Sequence, residues 1–303
     1  MSMVPLSLVT PVTAEILRGH IDLGRTPFGT SPHRLPAWAR AQGDDPQLAM
    51  TEAQPSGVRL VFRTAATVLE LDTLPTKRVY VGLPARAQGV YDLCVDGQLL
   101  QQQTAIGGKT IRIDITNGTT VHEPGQVQTL RFEGLSGQVK LIEIWLPHDE
   151  TTELGSSISQ GSNAASPTGI WPARAARLAN VDLVNLGFGG GALLDPFTAR
   201  TMRDTAADLI SVKIGINLVN LDLMRLRAFG PAVHGFLDTI RDGHPTTPLL
   251  VVSPIFCPIH EATPGPGMFD MSFLAAGRLS FLASGNPKDV AQGKLTLEQI
   301  GDR

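Results

Sequence analysis

The chain has 303 residues, of which 42% are hydrophobic and 17% are charged, and its formal net charge is −3. This length corresponds to about two domains, and the slightly negative charge argues against nucleic acid as a partner. No segment approaches the ~18 apolar residues of a membrane-spanning helix, and the N-terminus lacks the basic region of a signal peptide. The two cysteines, Cys94 and Cys257, are far apart in sequence, which fits a reducing compartment. We therefore expect a cytoplasmic protein that does not cross a membrane.

Short runs of alternating apolar and polar residues follow one another between residues 56 and 147. They are separated by turn residues and show no helical period, a pattern typical of a β-sandwich. The runs are 58–63, 68–72, 79–83, 91–95, 110–115, 127–132 and 139–146. Asp96-Gly97 and Asn117-Gly118 are dipeptides that supply the positive φ angles of two-residue hairpins. We predict an antiparallel, jelly-roll-like β-sandwich in residues 1–148, an accessory domain that could bind carbohydrate.

After Pro147 the pattern changes to apolar strands that alternate with helices. The predicted strands are 181–186, 209–216 and 248–255, and the predicted helices are 195–208 and 225–242. Near-continuous apolar strands separated by helices indicate a parallel sheet covered on both faces. Ligands bind such sheets beyond the carboxyl ends of the strands. We predict a three-layer α/β/α domain in residues 149–303.

Three short blocks of small and polar residues lie near the expected strand ends. The first, 155–159, reads Gly-Ser-Ser-Ile-Ser and offers the hydroxyl of Ser157. The second ends at Gly190, and the third reads Gly-Ile-Asn and ends at Asn217. Ester chemistry needs these parts, a hydroxyl that attacks and N–H donors that hold the oxyanion. Each block alone also has an ordinary use in a turn or a helix cap, and the second imitates a dinucleotide-binding fingerprint.

In this order, the three blocks resemble the SGNH, or GDSL-like, hydrolases over roughly residues 155–267. The likeness is strongest to two-domain members in which a β-sandwich precedes the hydrolase domain. It implies that Ser157 is the nucleophile, with Ser156 in place of the family's Asp, and that Gly190 and Asn217 form the oxyanion hole. It implies neither a cofactor nor a metal ion.

The segment 253–261 leaves the last predicted strand at the same edge of the sheet. Phe256 and Ile259 are candidates to line an acyl or alcohol pocket, with Glu261 beside them. His260 is a secondary candidate for the general base. A wall residue, or a partner of Glu261, is the other interpretation of His260.

The chain departs from the family pattern in two places. Residues 148–154 are acidic where the family has an apolar strand, and no Asp-x-x-His block follows His260. A serine without its histidine is a poor nucleophile. We therefore expect an incomplete hydrolase domain with impaired activity.

The predicted reaction is hydrolysis of a small acyl ester, with a small-molecule ester or an acylated sugar as the partner. One alternative is acyl transfer to a small-molecule or sugar hydroxyl instead of water. Another is a non-catalytic protein that binds carbohydrate or a partner protein.

Overall fold

The computed structural model describes residues 8–114, 116–150, 160–161, 163–270, 272 and 280–301. Antiparallel strands dominate its first half, and the second half is an α/β region with one parallel strand pair. Helices α1 (Ala37–Arg40) and α2 (Pro46–Glu52) lie between the third and fourth strands. The strands of the first half are β1 Leu17–Arg18, β2 Asp22–Thr26, β3 Gly29–His33, β4 Arg59–Thr64, β5 Leu69–Thr73, β6 Thr76–Tyr80, β7 Val90–Val95, β8 Gln98–Thr104, β9 Lys109–Asp114, β10 Thr119–Glu123, β11 Gln128–Phe132 and β12 Lys140–Trp145.

The largest sheet has five antiparallel strands in the order β1-β4-β12-β7-β8. Alternate residues of these strands point to one side, where Leu60, Leu93 and Ile142 are buried. The antiparallel pair β5–β11 contributes Leu130 and Phe132 to the same apolar core. Burial of this alternating apolar face holds the first half together, and it confirms the predicted antiparallel β region.

Both predicted hairpins form, with different turns. Asp96 and Gly97 have φ angles of 48° and 80° and join β7 directly to β8, as predicted. At the second hairpin Gly118 has a positive φ, 71°, and Asn117 does not, and the connection from β9 to β10 takes four residues. A longer loop needs a single left-handed residue, so Asn117 serves through its side chain, which accepts a hydrogen bond from the Thr119 N–H. The predicted strand residue Ile115 lies outside the described residues.

One strand pair of the first half contradicts the prediction of a purely antiparallel fold. Strands β6 and β9 are parallel, with register from Thr76↔Lys109 to Tyr80↔Ile113. The chain between them makes the hairpin β7–β8, which belongs to the five-stranded sheet. That excursion provides the long crossover that a parallel pair requires.

The second half begins with α3 (Trp171–Ala179), whose Ala173, together with the preceding Ile170, packs against Trp145 of the five-stranded sheet. Strands β13 and β14 are paired in parallel, from Ile210↔Leu249 to Lys213↔Val252. The elements of this half are α3 Trp171–Ala179, α4 Pro196–Asp204, β13 Ile210–Lys213, α5 Ile216–Asn220, α6 Leu226–Gly243, β14 Leu249–Val252, β15 Gly267–Asp270, β16 Ser280–Ala283 and α7 Leu297–Gly301. Its core joins β13 to apolar residues of α6, among them Phe229, Phe236 and Ile240.

Two expectations for the second half were wrong. Residues 181–186 are not a strand. The backbone carbonyl of Asn185 accepts from the Arg34 guanidinium, and its side-chain amide donates to the Ser56 hydroxyl. Strand β14 is not buried on both faces, since Leu250 is 57% and Val251 46% exposed. Within the described residues β14 pairs only with β13, which makes it an edge strand.

The N-terminal helices pack against the second half of the chain. Leu35, Ala39 and Leu48 form a small core with Phe188 and Phe197. The predicted division of the sequence near residue 148 remains a prediction, but residues 34–52 lie in space beside residues 185–197. Both cysteines are free thiols. Among the described residues, no helix has the length and apolar character needed to cross a bilayer.

Candidate functional site

The site is built around residues 187–191, which we call the glycine loop. Gly190 has a φ of +72°, and a Cβ there would lie 3.0 Å from Nε2 of Gln47. A Cβ on Gly191 would lie 3.0 Å from the Cα of Leu48 in helix α2. A side chain at Gly190 would be strained by the backbone angle, and both positions are crowded by α2. The sequence therefore needs glycine where α2 meets the loop.

Asn217 reaches the glycine loop from helix α5. Gly215, at φ +125°, starts the helix where a Cβ would lie 2.9 Å from Pro254. The Asn217 side chain is buried, and its Nδ2 lies 3.5 Å from the carbonyl oxygens of Phe188 and Ala192. These contacts are at the long limit for hydrogen bonds, so the amide keeps capacity to donate to a ligand. The structure thus brings the second and third predicted blocks together.

The chain that follows the first block is anchored beside the same loop. Gln160 is fully buried, and its Oε1 accepts a hydrogen bond of 3.0 Å from the Gly189 N–H. Its own carbonyl accepts from the hydroxyl of Ser56. Ser157 and the rest of the block 155–159 lie outside the described residues, so the assignment of Ser157 as nucleophile remains a prediction.

Helix α2 supplies a second contact to the loop, which sequence reasoning missed. The side-chain amide of Gln47 donates to the carbonyl of Gly189. Gln47 is held at the start of α2 by Asp45, whose carboxylate accepts its backbone N–H at 2.8 Å. The pattern of a capped helix start was visible in Asp45-Pro46, but nothing in it indicated what Gln47 touches.

Arg34 is the other contribution from the N-terminal segment that the sequence did not reveal. Its guanidinium is fully buried and donates to the carbonyls of Asn185 and Gly187, at 2.7 and 2.8 Å, and to that of Thr51. It also lies 5.0 Å from the centre of the Phe188 ring, a cation–π distance. Burial lowers the pKa of Arg34 to about 9, so the group remains charged at neutral pH. Arg34 therefore holds in place the backbone segment that leads into the glycine loop.

His260 is enclosed, not presented to a ligand. It is 1% exposed, and its Nδ1–H donates to the carbonyl of Thr263 at 3.1 Å. That bond leaves Nε2 as the acceptor, and in the described part of the chain Nε2 has no partner. A base that touches no solvent-accessible space cannot reach an ester without rearrangement, so its catalytic role remains a prediction that this burial does not favour.

The neighbours of His260 do not form the predicted arrangement either. Glu261 accepts a 2.7 Å hydrogen bond from the backbone N–H of Cys257, so its carboxylate closes the local turn and makes no pair with His260. Phe256 is 77% exposed, and Ile259 is half-buried. Their predicted role as pocket walls, and that of Glu261 in binding substrate, remain predictions.

Two buried titratable groups directly precede the first block. The side chains of His148 and Glu150 are 2% and 5% exposed. Burial raises the pKa of the Glu150 carboxyl to about 7, against the opposing hydrogen bond from the Gly89 N–H. Burial lowers the pKa of His148. In sequence they belong to the acidic segment 148–154, whose pattern does not show that these two residues are buried.

The structure thus places the glycine loop and Asn217 side by side in an α/β region. Residues 152–258 match the GDSL-like lipase/acylhydrolase family. The resemblance found in the sequence is therefore confirmed, and the chain contains a GDSL-like (SGNH) region.

Two solved structures have a similar fold. The salicylyl-acyltransferase SsfX3 from a tetracycline biosynthetic pathway is 27% identical, with a TM-score of 0.69 over 84% of this chain and 75% of that one. A protein described as a GDSL-like lipase, from Bacteroides ovatus, is 21% identical, with a TM-score of 0.57 over 81% of this chain and 73% of that one. No curated protein sequence matches the chain.

Proposed function

We propose that this protein is a serine acyl-transfer enzyme of the GDSL-like class that acts on a small-molecule ester. Ser157 attacks the ester carbonyl, and the N–H of Gly190 and the Nδ2 of Asn217 hold the oxyanion. The observation that carries the proposal is the approach of the Asn217 side chain to the glycine loop. Its Nδ2 lies 3.5 Å from the carbonyl oxygen of Phe188 in the loop and from that of Ala192 directly after it. Two donors from separate elements at one point are the arrangement that stabilises a tetrahedral oxyanion.

The anchoring of Gln160 supports the role of Ser157. Gln160 is bound to Gly189, next to Gly190, and Ser157 precedes Gln160 by three residues. Three residues of chain span at most about 11 Å. This short covalent distance supports the proposal that Ser157 acts together with these donors.

Water and a hydroxyl compound are both possible acceptors of the acyl group. The similarity to a salicylyl-acyltransferase favours transfer to a small-molecule hydroxyl as the second candidate, and a sugar hydroxyl belongs to the same chemistry. The expectation that this chain is impaired as an enzyme remains a prediction. A non-catalytic binding protein is the outcome if no Ser157-dependent chemistry is found.

The architecture we propose around the site is a jelly-roll-like β-sandwich followed by a three-layer α/β/α domain. The free thiols of Cys94 and Cys257 fit a reducing compartment such as the cytoplasm, which we propose as the location.

The test is hydrolysis of p-nitrophenyl acetate, with and without an added alcohol acceptor. We expect Ser157→Ala to remove the protein-dependent rate and Asn217→Ala to lower it by about 100- to 1,000-fold. Asn220→Ala, in the same helix α5, is the matched control and should keep the wild-type rate. A wild-type rate in the Ser157→Ala protein would overturn the proposal.

A further inference from the structure

We propose that Gln47 is a positioning residue that aims and polarises the Gly190 N–H, so that the N-terminal segment completes the oxyanion site. This inference rests on the proposed function, because it assigns the Gly190 N–H to the oxyanion. Gln47 lies outside residues 152–258, the part of the chain that matches the family. The family region would then depend on a residue more than 100 positions upstream.

The argument starts from the peptide between Gly189 and Gly190. Its carbonyl belongs to Gly189 and its N–H to Gly190, and a planar trans peptide points the two in opposite directions. The Gln47 amide donates to that carbonyl. The hydrogen bond therefore fixes the direction of the Gly190 N–H.

The same bond makes the N–H a stronger donor. A peptide whose carbonyl accepts a hydrogen bond is polarised, which strengthens the bond its N–H makes by roughly 10–30% in condensed-phase estimates. An oxyanion gains most from donors that are oriented before the reaction begins. Gln47 thus acts on the oxyanion through Gly190 and needs no contact with it.

The neighbouring peptide is fixed from the other side. Gln160 accepts the Gly189 N–H at 3.0 Å, which holds the peptide between Phe188 and Gly189. The two glutamines therefore clamp successive peptide planes on either side of Gly189. Without these hydrogen bonds the backbone at Gly190 would be free to rotate, because glycine populates both signs of φ readily.

Gln47 is itself held rigidly enough for this task. Asp45 caps its backbone N–H at 2.8 Å, and Pro46 fixes the first position of helix α2. Behind it, the Cα of Leu48 leaves space only for glycine at 191. A positioning residue on a capped helix that packs against the loop can hold the loop within the narrow tolerance that catalysis needs.

The test compares Gln47→Met, which keeps the length of the side chain and removes the donor, with Gln47→Lys, which restores a donor. Gln103→Met is the matched control. The side-chain amide of Gln103, on β8, also donates to a backbone carbonyl, that of Arg131 on β11. We expect Gln47→Met to lower kcat about tenfold with little change in KM, a smaller effect than the ~100-fold or more of losing an oxyanion donor. Gln47→Lys should recover most of the rate.

A second readout does not depend on turnover. In ¹H–¹⁵N spectra of deuterated protein, the Gly190 amide proton should move upfield in Gln47→Met and stay in place in Gln103→Met, because only the first variant removes the polarising bond. An unmoved Gly190 signal together with an unchanged kcat would overturn the role of Gln47. An activity that survives Ser157→Ala overturns the proposed function instead, and the Gly190 signal still decides the role of Gln47.

Discussion

The amide nitrogen of Asn217 lies 3.5 Å from the carbonyl oxygen of Phe188, although 29 residues separate them in sequence. One residue belongs to a short helix after β13 and the other to an irregular segment before α4. Their approach fixes the relative position of the two oxyanion donors that we propose. Substitutions on either side of this contact should therefore show which contacts support the fold and which support the chemistry.

Gly190→Ala should both destabilise the protein and lower its activity. At φ +72° a Cβ is strained, and it would lie 3.0 Å from Nε2 of Gln47, so we expect a loss of about 1–2 kcal/mol in the free energy of unfolding. Gly235→Ala is the contrasting variant, because it lies within α6 with open space around it. It should gain up to about 1 kcal/mol. Urea denaturation of both proteins measures this, and equal stability would contradict the positional argument.

Arg34→Met should lower the stability of the protein more than substitution of an exposed arginine. It removes a buried cation that donates to Asn185, Gly187 and Thr51, and it leaves those carbonyls unpaired, at a cost of about 3–5 kcal/mol. Arg131→Met removes two exposed ion pairs of β11 and should leave the midpoint of thermal unfolding almost unchanged. Similar midpoints for the two variants would show that Arg34 does not hold the segment.

The sequence predicted the parts of the fold that depend on residues close together in the chain. Alternating runs predicted β4, β7 and β12, three strands of the five-stranded sheet. Asp96-Gly97 predicted its hairpin, because a two-residue turn is set by local residues. The parallel pairing of β6 with β9 was not predictable in this way, since it depends on where the intervening hairpin is placed.

The candidate site shows the same division. Gly190 and Asn217 could be found because they lie in short motifs at the ends of apolar runs. Arg34 and Gln47 could not be found, because their partners at the site are the backbone carbonyls of residues more than 140 positions away. A backbone carbonyl is present at every residue and is not marked by the sequence. Residues 181–186 were predicted as a strand because they are mostly apolar. The pattern does not show whether their backbone bonds to a neighbouring strand or, as at Asn185, to a buried guanidinium.

His260→Gln tests the secondary base assignment. Because the imidazole is buried and its Nδ1–H is bound to Thr263, we expect this variant to lower the midpoint of thermal unfolding. Any Ser157-dependent hydrolysis should keep its rate and its pH profile below the new midpoint. The measurement is the pH–rate profile of p-nitrophenyl acetate hydrolysis at a temperature where both proteins are folded. A profile that loses its ionisation near neutral pH in the variant would restore His260 as the base.

The contribution of Glu150 to stability should fall as the pH rises from about 4.5 to 7. Burial raises the pKa of this carboxyl from its ordinary value of 4.5 to about 7 in the folded state, so the folded protein holds its proton over a range where the unfolded chain has lost it. Such a group contributes stability that is complete below the unfolded pKa and is lost as the pH passes the folded one. The contribution is at most about 3 kcal/mol.

Glu150→Gln, which keeps a neutral side chain of the same size, should flatten this dependence. We would measure unfolding by urea at intervals between pH 4.5 and 8 for the wild type, for Glu150→Gln and for Glu123→Gln. Glu123 pairs with Arg112 on the surface, so its variant controls for the loss of one carboxylate. If the wild type and Glu150→Gln lose stability in parallel over this range, the Glu150 carboxyl is ionised in the folded protein and its burial does not govern the pH response.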